Sequence, residues 1–157
     1  EFIEVHNHSN ATLDLSGVQF SDGIRFTFPT GFTLQEDGYC VIVNDAAAFA
    51  STFQDNASSW FHAGIQLAGE FEGNLRNGGE TLAMQKPDGS PLLELSWNDS
   101  GAWPGRADGN GSSLELVLPE AFPDTSESLN QFLSSPENWR SSSEYHGSPG
   151  RYGSGPD

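Results

Sequence analysis

Apolar and polar residues alternate with a period of two in several short stretches of this chain. Residues 24–28 show the pattern most clearly, because Ile24, Phe26 and Phe28 fall on one side and the polar residues between them on the other. Alternation of this kind is typical of a β-strand with one buried face. Short apolar stretches between turns predict further strands at residues 2–5, 12–15 with a continuation at 18–20, 71–75, 80–85, 91–97, 113–118 and 138–140.

Residues 39–43 form a continuous apolar run rather than an alternating one. Such a run is expected for a central strand that is buried on both faces. Asn44 and Asp45 follow it and precede an alanine-rich stretch that begins at Ala46. An Asx residue before a run of the best helix former predicts a helix N-terminus. We therefore expect one helix of about two turns that ends near Phe53.

The clearest pairing prediction is a β-hairpin. Residues 80–85 and 91–97 are separated by a Lys-Pro-Asp-Gly sequence at residues 86–89, which is typical of a tight turn. With 18 Gly and 9 Pro, the composition is rich in turn residues, and helix formers are scarce. The pattern predicts an all-β, two-sheet sandwich of about eight or nine short strands with one short helix.

The C-terminal third of the chain is predicted to be less regular. A long loop rich in Gly, Asp and Asn follows Trp97, and residues 119–136 are acidic and Ser-rich, which predicts a surface excursion. Residues 141–157 are rich in Gly, Ser and Pro, a composition typical of a mobile segment or a linker. We expect one domain over residues 1–150 and a flexible tail or linker over residues 151–157.

The chain carries a formal net charge of −16, from 22 acidic residues against 6 basic ones. This charge repels nucleic-acid phosphates and anionic membranes, so nucleic acid is not expected as a partner. No apolar run reaches the roughly 18 residues of a membrane span, so membrane insertion is not expected either. The favoured explanation of this charge is that it keeps the protein soluble. The alternative is that acidic loops bind Ca²⁺.

Catalytic machinery is not recognisable in the sequence. Cys40 lies within an apolar run, where a small buried residue is expected rather than a reactive thiol. The Ser-rich stretches lack a Gly-x-Ser-x-Gly motif, and His62 and His146 lie in unrelated loops. Glu70 and Glu72 could act as a glycosidase pair, but with 22 acidic residues such pairs arise by chance. We expect a non-catalytic protein, with a small hydrolase as the weaker alternative.

Two stretches offer metal ligands. Asp108 and Asn110, with Asp99 earlier in the same loop, present oxygen atoms of the kind that Ca²⁺ binds. The loop lacks the full spacing of an EF-hand, so an internally hydrogen-bonded turn is the favoured interpretation, and no cofactor is required. His6 and His8 lie two residues apart beside a strand, so both rings can point the same way toward a metal. A surface turn with two histidines is favoured there as well.

Aromatic residues in polar stretches are the candidates for ligand binding. Trp60 lies outside every predicted strand, close to His62. The apolar face of a sugar ring can stack on such a side chain, while residues such as Arg106 supply hydrogen bonds. Tyr145, in the Gly- and Ser-rich C-terminal stretch, is a second candidate of the same kind. A packing role within its loop is the alternative for Trp60.

An ordered set of motifs extends over residues 1–150. The chain opens with Glu-Phe-Ile-Glu-Val-His-Asn and continues through Leu-x-Leu-Ser-Gly and Leu-Arg-Asn-Gly-Gly-Glu, at residues 13–17 and 75–80. A Trp-Pro pair at Trp103, the Asp-Gly-Asn-Gly-Ser-Ser-Leu-Glu-Leu sequence at residues 108–116 and the stretch over residues 138–150 complete the set. In this order the motifs resemble those of the lamin tail domain, in its bacterial secreted form.

The resemblance implies an immunoglobulin-like β-sandwich and a non-catalytic module that is appended to larger secreted or surface proteins. It implies that Trp103 and Trp139 are packing residues, and the family usually has a further strand before the opening motif. Together with the aromatic candidates, it leads us to expect a binding module of a larger secreted or cell-surface bacterial protein. The expected ligand is a polysaccharide or cell-surface glycan. A structural or protein-interaction module without a small ligand is the alternative.

Overall fold

The computed structural model describes residues 1–59, 62–119 and 121–154. The strands of these residues are β1 (Phe2–His6), β2 (Leu13–Asp14), β3 (Gln19–Asp22), β4 (Phe26–Thr27), β5 (Thr33–Leu34), β6 (Tyr39–Val43), β7 (Gln66–Glu70), β8 (Thr81–Gln85), β9 (Pro91–Ser96), β10 (Leu114–Leu116) and β11 (Trp139–Ser141). The helices are α1 (Ala46–Phe49), continued by a π-helical turn (Ala50–Gln54), and α2 (Ser126–Leu133), which a 3₁₀ turn (Pro136–Asn138) follows. The strands outnumber the eight or nine predicted for two reasons. The stretch predicted to continue from residues 12–15 into 18–20 forms two strands, β2 and β3, in different sheets. Strand β5 has only two residues and is too short to show alternation.

Residues from two larger sheets share the main hydrophobic core. One sheet has the strand order β1-β6-β7, with β1 antiparallel and β7 parallel to β6. The other is antiparallel and has the order β4-β3-β8-β9, while β2 pairs with β5 and β10 with β11. The shared core contains Leu15, Val18, Phe20, Ile24, Phe28, Leu34, Cys40, Ile42, Phe71, Leu82 and Met84. This mostly β architecture is consistent with an immunoglobulin-like sandwich.

Strand β6 is buried on both faces, as its continuous apolar sequence predicts. Its residues Cys40 and Ile42 point into the core between the sheets, whereas Val41 and Val43 pack with Phe49 of helix α1 on the opposite face. Burial raises the pKa of the Cys40 thiol to about 12, which keeps it protonated and unreactive. The prediction that Cys40 is a small buried core residue is confirmed.

Helix α1 begins where the sequence predicts. The carboxylate of Asp45 accepts a hydrogen bond from the backbone N–H of Ala48 at 2.8 Å and so caps the first turn. The helical segment continues as a π-helical turn as far as Gln54, close to the predicted end. Phe49 and Phe53 are its buried residues and cover one face of β6.

Two strand predictions need correction. The strand predicted at residues 71–75 is wrong, because the strand of this region is β7 and ends at Glu70. Its sequence, Gln-Leu-Ala-Gly-Glu, lacks β-branched and aromatic residues, and parallel pairing with β6 holds it in the sheet. In residues 24–28 the predicted facing is correct, since Ile24 and Phe28 are buried, but only Phe26–Thr27 forms a strand.

The Ser-rich region at residues 119–136 contains helix α2 rather than only a surface excursion. The Thr125 side chain accepts from the backbone N–H of Ser128 at 3.2 Å and caps the helix. Leu133 is buried, and the helix packs against β9. Because Ser and Asn are weak helix formers, the composition concealed the helix, and its packing against the sheet stabilises it.

Much of the C-terminal stretch belongs to the folded body. Ser142, Ser148 and Pro149 are buried, so the mobile segment predicted from residue 141 onward is wrong over residues 142–149. The composition is misleading here because Ser and Gly are used for side-chain hydrogen bonds and tight turns. Residues 155–157, at the end of the predicted tail, lie outside the described residues.

Candidate functional site

The candidate residue Tyr145 is the most exposed of the described large hydrophobic residues, at 57%. Its ring lies against Gly111, which adopts φ +87° and leaves no space for a side chain. The next residue, His146, donates its backbone N–H to the carbonyl of Gly111 at 2.6 Å. Tyr145 is therefore presented to solvent on a firm backbone support.

The support of Tyr145 belongs to the loop over residues 98–112, which also carries other predicted site residues. Arg106 and Asp108 are exposed in this loop, and the Asn110 side-chain amide donates to the carbonyls of Gly105 and Asp108, at 3.1 and 2.8 Å. The Asn110 amide thus stabilises the loop itself by donating to two of its backbone carbonyls. Tyr145, Arg106, Asp108 and Asn110 are brought into one region of the surface, where two chain segments meet at Gly111.

The predicted calcium ligands Asp99, Asp108 and Asn110 are exposed. Asp99 and Asp108 belong to no group of three or more His, Cys, Asp or Glu side chains with converging ligand atoms among the described residues. Next to Asp99, Asn98 accepts hydrogen bonds from the backbone and hydroxyl of Ser100, at 3.0 and 2.5 Å, and closes its own turn. Calcium binding at Asp99, Asp108 and Asn110 stays a prediction.

His62 lies close to Arg151, which belongs to the same C-terminal segment as Tyr145. Its Nε2 is 3.5 Å from Nη2 of Arg151, and its ring packs edge-on to Phe53 with the centroids 6.2 Å apart. Partial burial and the neighbouring Arg151 charge lower the pKa of His62, which favours the neutral form of the ring. Trp60, the partner that the sequence suggests for His62, lies outside the described residues.

Glu144, the residue before Tyr145, binds the end of the described chain through its carboxylate. Its carboxylate accepts from the hydroxyl of Ser154 at 2.6 Å and from that of Ser143 at 2.9 Å. These hydrogen bonds, that from Ser154 above all, lower the pKa of Glu144 to about 2. The residue before Tyr145 in the chain therefore carries an ionised carboxylate at neutral pH.

A half-buried ion pair underlies the C-terminal segment. Nε of Arg140 on β11 is 3.3 Å from Oε2 of Glu115 on β10, and Ser148 donates to the other carboxylate oxygen at 2.8 Å. The guanidinium carbon of Arg140 also lies 4.9 Å from the ring centre of Tyr152, which is 40% exposed. Sequence reasoning missed Tyr152, because it lies in the stretch predicted to be a tail.

Glu4 connects the first strand to the C-terminal segment. Its carboxyl group accepts the backbone N–H of Gly150 at 2.5 Å. Burial, with a smaller contribution from the negative charge of Glu115, raises the pKa of Glu4 to about 7 despite that hydrogen bond. The segment that presents Tyr145 is thus anchored on β1 as well as on β10 and β11.

Other predicted site residues have structural roles. Oε1 of Glu70 accepts the backbone N–H of Ala46 at 2.7 Å, at the start of α1, and Glu72 pairs through its backbone with Arg25. The Glu70 carboxylate of the suggested glycosidase pair is therefore engaged in a structural hydrogen bond. Trp103 and Trp139 are half-buried, with ring centroids 6.4 Å apart, as expected of packing residues.

Two open, polar depressions adjoin Gly23, and one of them is lined in part by Asp22, Arg76 and Glu80. Depressions of this kind do not enclose a small apolar ligand, whereas an exposed aromatic side chain can support an extended one. The described residues thus define a β-sandwich module with a solvent-facing aromatic residue on a fixed support.

The family model named Lamin Tail Domain matches residues 1–99, well over half of the chain. The protein belongs to the lamin tail domain family, whose members are non-catalytic, immunoglobulin-like binding or structural modules. No curated protein and no solved structure matches the chain. The family match ends at Asp99, before the loop and segment that meet at Gly111. Among the described residues, no helix has the length and apolar character needed to cross a membrane.

Proposed function

We propose that this domain is a non-catalytic carbohydrate-binding module of a larger secreted or cell-surface bacterial protein, with a polysaccharide or cell-surface glycan as its ligand. The observation that carries the proposal is the Tyr145 ring, 57% exposed and seated on Gly111. An exposed aromatic ring offers a flat apolar face to a ligand, and a ring that is already fixed in place loses little conformational entropy on binding.

The surroundings of Tyr145 support a sugar as the ligand. The C–H groups of a sugar ring carry partial positive charge and pack on the electron-rich face of an aromatic ring. The exposed Arg106 and the ionised Glu144 supply a hydrogen-bond donor and an acceptor for hydroxyl groups. Tyr152, also exposed, extends the aromatic surface of the same C-terminal segment.

The test is binding of the domain to a panel of soluble and insoluble polysaccharides, neutral and sulfated, by affinity electrophoresis and pull-down. We expect saturable binding to one class and at least a tenfold loss of affinity in Tyr145→Ala, with the melting temperature unchanged because the side chain is largely exposed. Trp60→Ala and Tyr152→Ala locate the rest of the binding surface.

Leu13→Ala is the matched control. Leu13 is 39% exposed and lies on β2, in the two-stranded β2-β5 sheet, whereas Tyr145 lies in a turn of the C-terminal segment. Equal loss in Leu13→Ala and Tyr145→Ala would contradict a site at Tyr145. Absence of binding across the panel would favour the structural or protein-docking alternative, since tyrosine is also enriched at protein interfaces. Release of product from any polysaccharide would instead support the weaker hydrolase alternative.

A further inference from the structure

We propose that His6, His8 and Asp37 form a binding site for a divalent transition-metal ion, with Zn²⁺ as the cation that suits it best. One ring nitrogen of each histidine and one carboxylate oxygen of Asp37 lie within 4.8 Å of one another. Imidazole nitrogen and carboxylate oxygen are common protein ligands of Zn²⁺. The two histidines were visible in the sequence, whereas the third ligand comes from a distant turn.

Strand pairing brings His6 and Asp37 together. His6 is the last residue of β1 and lies opposite Tyr39, the first residue of β6, in the antiparallel ladder. Asp37 precedes β6 in the adjoining turn, so its carboxylate Oδ1 comes within 2.8 Å of Nε2 of His6. The His6 ring stacks on Tyr39, with centroids 4.1 Å and planes 6° apart, and this contact fixes the direction of its nitrogen.

The buried side chain of Asn7 holds the two ligand-bearing turns together. Its side-chain nitrogen lies 3.0 Å from the carbonyl of Leu34 and 2.8 Å from that of Gln35. Its backbone N–H donates to the carbonyl of Gly38 at 2.9 Å. Because Asn7 is 1% exposed, these bonds are shielded from water. The histidine turn and the Asp37 turn are thus kept in a constant relative position, and pre-organisation of this kind favours metal binding.

Only small movements are needed to complete the coordination. A tetrahedral Zn²⁺ with bonds of about 2.0–2.1 Å requires ligand atoms about 3.3 Å apart. The 2.8 Å contact between His6 and Asp37 must open slightly, and the His8 nitrogen must approach. His8 is exposed, and its ring makes edge-on contacts with Phe122 and His6, with centroids 5.0 and 5.6 Å apart, so a change of its side-chain rotamer meets little resistance. The net charge of −16 raises the local concentration of cations.

The test is calorimetric titration of the protein, free of any affinity histidine tag, with ZnCl₂, together with thermal melts in Zn²⁺ and in EDTA. We expect one Zn²⁺ bound per chain and a melting temperature that rises with Zn²⁺, because a ligand of the native state stabilises it. His8→Ala should lower the affinity at least tenfold and leave the melting temperature in EDTA unchanged, since His8 is exposed.

Asp37→Asn is the second variant and His146→Asn the matched control. Asp37 adopts φ +53° and His146 φ +69°, and Asn tolerates this conformation, so both substitutions preserve the backbone. We expect Zn²⁺ affinity to fall in Asp37→Asn and to stay at the wild-type value in His146→Asn. Absence of binding to the wild type, binding retained in both His8→Ala and Asp37→Asn, or an equal loss in His146→Asn would each overturn the proposal.

Discussion

Asn7 satisfies more hydrogen-bonding groups than any neighbouring polar residue of its turn. Its side-chain oxygen accepts from the backbone and hydroxyl of Ser9, at 3.0 and 2.7 Å, while its nitrogen faces backbone carbonyls on the opposite side. A buried amide that loses these partners leaves several unpaired polar groups, and each of them costs free energy. The conformation of the whole turn therefore depends on one side chain.

Replacement of Asn7 by Ala should lower the free energy of unfolding by about 3 kcal/mol, because the carbonyls of Leu34 and Gln35 then lose a buried donor. Urea denaturation followed by circular dichroism measures the change. Asn10→Ala is the matched control, since Asn10 is exposed in the same turn, and its effect should stay within about 0.5 kcal/mol. Equal effects of the two substitutions would contradict the anchoring role of Asn7.

Glu4 makes stability depend on pH in the direction opposite to an ordinary ion-paired carboxylate. Its pKa is raised from 4.5 to about 7, so between these values the folded protein binds more protons than the unfolded chain. The contribution of Glu4 to stability is fully present below pH 4.5 and is lost as pH rises through about 7. Above that pH the fold contains a charged, poorly hydrated carboxylate.

We therefore expect Glu4→Gln to be more stable than the wild type by about 1–3 kcal/mol near pH 8, while the difference should shrink toward zero near pH 4.5. The substitution retains an oxygen that can accept the Gly150 N–H. Urea denaturation across this pH range measures the difference, and Glu36→Gln, at an exposed position, is the control. A wild-type stability that does not fall between these pH values, or falls equally in Glu4→Gln, would argue against the raised pKa.

At the scale of elements, helix α2 covers an edge that would otherwise be open. Strand β9 lies at the edge of the four-stranded sheet. Its backbone N–H groups at Glu94 and Ser96 donate to the side chains of Asn130 and Ser134, at 2.8 and 3.0 Å. An edge strand with unpaired N–H groups can pair with a second molecule, so these two side chains protect the sheet from association.

The double variant Asn130→Ala, Ser134→Ala should lose about 1–3 kcal/mol of unfolding free energy and form larger species at high protein concentration. Urea denaturation and size-exclusion chromatography with light scattering measure the two effects. Gln131→Ala, on the exposed side of the same helix, is the control for helix propensity. A double variant that remains monomeric and as stable as the control would show that α2 does not protect this edge.

At the scale of the whole molecule, the net charge of −16 opposes compaction. Added salt screens this repulsion, so the melting temperature should rise by about 3 °C or more between roughly 0.02 and 0.5 M NaCl. Differential scanning calorimetry measures the shift, and a melting temperature that is constant or falls with NaCl would contradict it.

Calcium is distinguished from screening by CaCl₂ at matched ionic strength. If Asp99, Asp108 and Asn110 bind Ca²⁺, the melting temperature should rise further than in NaCl, return to the NaCl value with EDTA, and lose the additional rise in Asp108→Asn. Equal melting temperatures in the two salts would leave these residues as turn formers only, in agreement with the hydrogen bonds that the Asn110 side chain makes to its own loop.

Patterns within a few residues determined a large part of this fold. The apolar run of β6, the Asp45 cap before an alanine run, and the turn between β8 and β9 are local features whose physical causes act between sequence neighbours. The ordered set of motifs also indicated the lamin tail domain family, and the family match covers the part of that set within residues 1–99. For these elements, folding adds packing to a preference that the sequence already has.

The surface sites were decided by contacts between distant residues. Asp37 meets His6 across 31 residues, and Glu4 meets Gly150 across 146. Gly111 supports Tyr145 only because the 98–112 loop folds against the C-terminal segment. Helix α2 and strand β7 have weak intrinsic propensities and owe their conformations to the sheets on which they pack. The sequence determined the periodic elements because their causes are local, and only the tertiary structure decided which polar and aromatic side chains converge.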